Sequence, residues 1–174
     1  MKRRIRQHST IGFTLIEVMV TLLIAGVLAA IAAPSWLSLA NGRRAAAGRD
    51  EIMQVLQVAR TEAIRTRQPQ SVNINSTATP PTIAVNSSPA RRIGEQSIQN
   101  PTLLSKLGLS VTGVTPSGGI VTITFDDRGS ITTPLGAQGI KLIVSSPANN
   151  GAKRCVIVQT ILGSMRTAND SACN

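Results

Sequence analysis

Aromatic side chains are nearly missing from this 174-residue chain, which has no tyrosine, one tryptophan (Trp36) and two phenylalanines (Phe13 and Phe125). Stacking platforms for single-stranded nucleic acid are therefore excluded, and a soluble core must rest on Ile, Val, Leu and Ala. Histidine is equally scarce. His8 is the one copy, so neither cysteine has a histidine partner downstream for nucleophilic chemistry, and one histidine supplies too few ligands for a metal site. No Gly-x-x-x-x-Gly-Lys-Ser/Thr phosphate loop occurs. Asp126 and Asp127 are adjacent, so as strand residues they would point apart, and with Arg128-Gly129 they read as a turn. Catalytic residues, cofactors and metals are all expected to be none. Cys155 and Cys173 enclose seventeen residues near the C-terminus, a spacing compatible with one disulfide if that segment lies outside the cytoplasm.

What the chain does have is a dense apolar block. Phe13 to Ala33 is 21 residues, enough to cross the ~30 Å hydrocarbon layer at ~1.5 Å per residue, whereas a secretory h-region runs to ~7–15 residues. A retained membrane helix is the expectation, although the small residues Ala29-Ala30-Ile31-Ala32-Ala33 keep a cleaved signal open as the alternative. Lys2, Arg3, Arg4 and Arg6 would hold the front end in the cytoplasm, so the remainder is exported. These four residues contribute to a formal charge of +10 and would leave +6 if removed. A basic excess of that size permits attraction to nucleic acid, anionic lipid or an acidic protein without selecting among them.

Glu17 is the anomaly in the block. A carboxylate near a bilayer centre costs about 2.5–3.5 kcal/mol or more, unless it stays hydrated at the interface. If the backbone is cut after Gly12, Phe13 gains a positive amine four positions from Glu17 on the same helical face. In an assembly, the amine of one subunit then neutralises Glu17 of the next and penalises registers that leave it unpaired. The string Gly12-Phe13-Thr14-Leu15-Ile16-Glu17 behind a short basic leader closely resembles the processing site of type IV prepilins and type II secretion pseudopilins. That resemblance implies cleavage between Gly12 and Phe13 by a membrane prepilin peptidase, and methylation of the new amine.

Beyond the membrane block, Pro34 is expected to kink or end the helix. Ile52, Val55, Leu56, Ala59, Ala63 and Ile64 then recur at helical spacing, while Arg43, Arg44, Arg49, Arg60, Arg65 and Arg67 read as a solvated face. After Pro69 the pattern changes to short strands. They are expected at Gln70 to Asn75, Thr82 to Val85, Leu109 to Val114, Ile120 to Phe125, Gly139 to Ser145 and Arg154 to Ile161, with Val121, Ile123 and Phe125 facing the core. Asn86 to Asn100 reads as a variable loop. The expected fold class is α+β, a long N-terminal transmembrane and amphipathic helix packed on a small, mainly antiparallel β-sheet head. Its expected organisation is a leader over 1–12, an assembly helix over 13–33, an amphipathic helix over 34–68 and a β-rich head over 69–174.

This layout, with Phe125-Asp126-Asp127-Arg128-Gly129 and the segment from Cys155 to Leu162-Gly163, resembles the FimT/GspH group of minor pilins and pseudopilins. The resemblance implies a low-abundance subunit that helps initiate or cap a filament, held in the bacterial inner membrane by a single pass with its head in the periplasm. Implied partners are prepilin peptidase, other pilins or pseudopilins and an inner-membrane assembly platform. A type IV pilus and a type II secretion system are the two machines that fit. A third role is DNA uptake. Some FimT-like pilins bind DNA through a tail resembling Gly-Arg-x-Arg. Here Gly163-Ser164-Met165-Arg166 keeps only its second arginine, leaving Lys153, Arg154 and Arg166 as the candidate DNA-binding cations.

Overall fold

The computed structural model describes residues 12–148 and 151–173; the basic leader with Lys2, Arg3, Arg4, Arg6 and His8 lies outside them. The chain divides into two compact units at Leu37/Ser38. One helix, α1 (Leu15–Thr66, 52 residues), supplies all the regular structure described in the first unit and opens the second. Pro34 lies inside α1, so of the two expectations at this proline, a kink or an end, the end does not occur. A proline removes a single intrahelical hydrogen bond, and good helix formers on both sides carry the helix past it.

In the first unit every described residue of α1 is exposed. Leu22, Leu23, Val27, Leu28 and Ile31 all face outward, at more than half of their full accessibility. Apolar residues recur on every side of this stretch, so it has no stripe with which to pack on a domain of its own.

In the second unit α1 buries Ala45, Gly48, Glu51, Ile52, Val55, Leu56, Ala59 and Ala63, a stripe at three- and four-residue spacing. Ile64, expected on that stripe, is 47% exposed instead. The helix ends where Arg67 turns into the left-handed region at φ 54°, a conformation that terminates helices even without glycine.

Among the described residues the stripe is covered by two four-stranded antiparallel sheets. The first contains β1 (Gln70–Asn75), β2 (Thr82–Val85), β3 (Arg91–Arg92) and β5 (Ile120–Phe125) in the order β3-β2-β1-β5. The second contains β4 (Gly108–Thr112), β6 (Ile140–Ser146), β7 (Ala152–Val158) and β8 (Met165–Asn169) in the order β4-β6-β7-β8. Alternation sets which face is inside. Val121, Ile123 and Phe125 are buried, whereas Ile120 and Thr122 are exposed. The core joins Ile52 and Leu56 to Val72, Ile123, Phe125 and Leu142.

Three expectations need correction. Asn86 to Asn100 is not simply a loop, because it carries β3 and the buried side chains Ile93 and Ile98. The last long strand stops at Val158 rather than Ile161, because a turn closes between Gln159 and Gly163. There the Gly163 amide donates to the Thr160 carbonyl and the Gln159 amide to Ser164, with Gly163 at φ 74°. The strand after that turn, β8, was not expected at all.

Candidate assembly site

The junction motif forms the start of α1. Thr14 precedes the first helical residue and its hydroxyl accepts from the Glu17 amide at 3.3 Å. Thr14-Leu15-Ile16-Glu17 therefore has the spacing of a capping box, and Glu17 lies in the first turn, where the helix dipole favours a negative charge. Thr14 was missed as a functional residue, and the Thr-x-x-Glu spacing was the signal that could have found it. Phe13 is 81% exposed. Among the described residues, a side chain built at Gly12 would meet nothing within 4 Å, so packing there does not demand glycine.

The other candidate residues gather around β7. Cys155 and Cys173 form a disulfide with Cα atoms 5.7 Å apart. With Ile157 they make a small second core, against which Ile143 and Ala168 pack. The three candidate cations do not share one face. Arg154 has the parity of Val156 and Val158 in the main core, and its guanidinium lies beside Gly42 of α1 while bonding the Asp170 carboxylate at 2.7 Å. Lys153 alternates to the opposite face with Cys155 and Ile157. Arg166 pairs across the strands with Ile157 and so shares that opposite face, roughly 13 Å from Lys153 along the strand direction.

Two further anchors were not legible beforehand. Glu51 is only 7% exposed. One of its oxygens accepts from the Gly94 amide at 2.6 Å, and the other, with no hydrogen-bond partner, lies 3.8 Å from the Arg91 side chain. This carboxylate pins the 91–98 segment to α1. Arg60, expected on a solvated face, donates instead to the Gly129 carbonyl at 3.2 Å and the Leu162 carbonyl at 3.0 Å. It thereby ties the Asp126–Gly129 turn to the Thr160–Gly163 turn, bringing together the two segments that carried the resemblance. Within the first turn, Asp126 accepts from the amides of Arg128 and Ser130.

An apolar helix that opens on a capped Gly-Phe-Thr-Leu-Ile-Glu junction, continuing into a second unit of antiparallel sheets, defines a type IV pilin-like protein. Within that class the chain belongs to the GspH family: the model described as type II transport protein GspH matches residues 49–162, and that of the prokaryotic N-terminal methylation motif matches residues 9–33. The fold is similar to that of the type IV minor pilin FimU of Pseudomonas aeruginosa PAO1 in its P21 crystal form, with a TM-score of 0.51 and 13% identity. That alignment covers 76% of this chain and 96% of FimU. The P65 form of FimU aligns with a TM-score of 0.47 and 13% identity over 73% of this chain and 98% of FimU. No curated protein sequence matches the chain. The protein is thus a minor pilin or pseudopilin, a structural subunit rather than an enzyme, anchored in the membrane by its apolar helix. Its methylation motif implies processing by a prepilin peptidase and association with other pilins.

Proposed function

We propose that the chain is cut between Gly12 and Phe13, methylated on the new amine and incorporated through its 13–33 helix into a type IV pilus, where it helps initiate or cap the filament. The observation that carries this reading is the pairing of a glycine that packs against nothing among the described residues with an exposed helix whose first turn holds Glu17. A residue without a side chain lets a protease approach the backbone closely. The freed Phe13 amine of one subunit neutralises Glu17 of its neighbour, so processing and axial register are chemically linked. The head then lies in the periplasm and reaches the cell surface at the filament tip, after loading by an inner-membrane platform. Gly12→Leu is expected to retain the leader by mass spectrometry, whereas Glu17→Ala is expected to be processed but absent from filaments; normal processing of the Gly12→Leu chain rejects the reading.

Membership of the GspH family, whose type member is a type II transport protein, supports a second machine, a type II secretion pseudopilus. Deletion separates the two, since loss of pili supports the first and loss of protein secretion with intact pili supports the second. DNA uptake is the remaining role, resting on Lys153, Arg154 and Arg166. Because Arg154 is engaged by Asp170, Arg166→Ala is expected to weaken a salt-sensitive gel shift more than Arg154→Ala. No shift at low salt rejects DNA binding.

A further inference from the structure

The three aromatic residues divide sharply by environment. Phe125 is fully buried in the head, whereas Phe13 and Trp36 are 81% and 74% exposed. These two bracket the apolar stretch of α1. From Leu15 to Trp36 the helix advances 21 residues, about 32 Å, close to the ~30 Å depth of a hydrocarbon layer. Trp36 also sits where the apolar block gives way to Pro34-Ser35-Trp36-Leu37-Ser38 in the sequence. An indole has an apolar ring and one N–H donor, and it concentrates at the level where acyl chains meet headgroups. Buried in hydrocarbon its N–H would lack a partner, and in open water its ring would stay wet.

We propose that Trp36 is a lipid-interface anchor that sets the depth of the subunit in the outer leaflet of the membrane before assembly. This rests on the membrane-spanning reading of α1 and adds a specific contact to it: the indole ring lies against the upper acyl chains and its N–H donates to glycerol or phosphate oxygens. The partner is the bilayer interface. Continuity with the apolar helix argues for it, because the position follows a span of bilayer length and the indole is largely exposed on the helix that carries it.

Trp36 is the one tryptophan, so its fluorescence in the full chain reports this position alone. The chain is reconstituted in vesicles of phosphatidylcholine and phosphatidylglycerol whose acyl chains carry bromine either near the headgroup or near the methyl end. Quenching by the shallow label is expected to exceed that by the deep label by about twofold, as befits a residue of the interfacial belt. A Trp36→Phe, Leu28→Trp chain is expected to reverse the preference. Stronger quenching of Trp36 by the deep label, or none by either in chains that float with the vesicles, overturns the anchor and leaves the spanning helix intact. Shallow quenching of both probes means that the helix lies along the surface, which overturns the proposal and the spanning reading together. A chain that does not float with vesicles does the same.

Discussion

The two halves of α1 are one helix built for two solvents. Between Phe13 and Gly42 the only charged residue is Glu17, and the stretch up to Leu39 is exposed on every side. From Ala45 to Ala63 a single stripe is buried while Arg43, Asp50, Gln57 and Arg65 remain outside. Uniform apolarity has no inside within one chain and must find lipid or other subunits, whereas a stripe finds its partner in the same chain. The comparison separates what stabilises the head from what places it.

The largest test of that separation removes core volume on one side and apolar surface on the other. Phe125→Ala is expected to destabilise the head by about 3–5 kcal/mol, because the surrounding residues only partly fill the cavity. Leu28→Ala is expected to leave the urea midpoint of the head unchanged in the detergent-solubilised chain. Equal loss from both would erase the distinction. Next in size is the disulfide. Replacing Cys155 and Cys173 together by serine removes a cross-link across 18 positions and is expected to lower head stability by about 3 kcal/mol in the chain-entropy model. Labelling the native chain with a thiol reagent before and after reduction checks the bond, and equal labelling rejects it.

Glu51 sharpens the comparison, since it is a carboxylate that the buried half of α1 keeps for its own chain. Glu51→Ala leaves the Gly94 amide without its acceptor and is expected to cost about 1–3 kcal/mol. Amide exchange of the 91–98 segment should accelerate more than that of β1, and uniform acceleration contradicts the local role. The smallest effect lies at Glu62. Its hydrogen bond with Arg65, aided by the guanidinium charge, holds this carboxyl below the usual glutamate range. The folded-state value is depressed, so the pair's contribution is present above the ordinary glutamate pKa and is lost as pH falls through the lower folded value. An NMR titration of Glu62 should place its midpoint below that of Glu62 in the Arg65→Ala chain, and coincident midpoints would break the assignment.

Much of this organisation was legible in the residues. The junction, the long apolar helix and the bounds of β1, β2 and β5 follow from local pattern, because alternation over six residues or an unbroken apolar run leaves few competing structures. Tertiary contacts decided the rest. Ile93 and Ile98 are buried inside a stretch without regular period, held there by a carboxylate some forty residues upstream. Strand β8, Met165–Asn169, has little apolar alternation of its own and exists because β7 supplies its hydrogen bonds. Arg60 looked like one of several surface arginines, yet both carbonyls it binds come from distant turns. The cations proposed near Cys155 lie close together along the chain, but strand parity and Asp170 divide them between faces.

The account turns on one covalent event at the exposed end of α1. The intact mass and N-terminal sequence of the membrane-extracted chain, produced together with a prepilin peptidase, test it most directly. The account predicts a chain that begins at Phe13 and carries a methyl group on its amine. A chain that keeps residues 1–12, or one that begins after Ala33, would contradict it, because the amine proposed to meet Glu17 would then not exist.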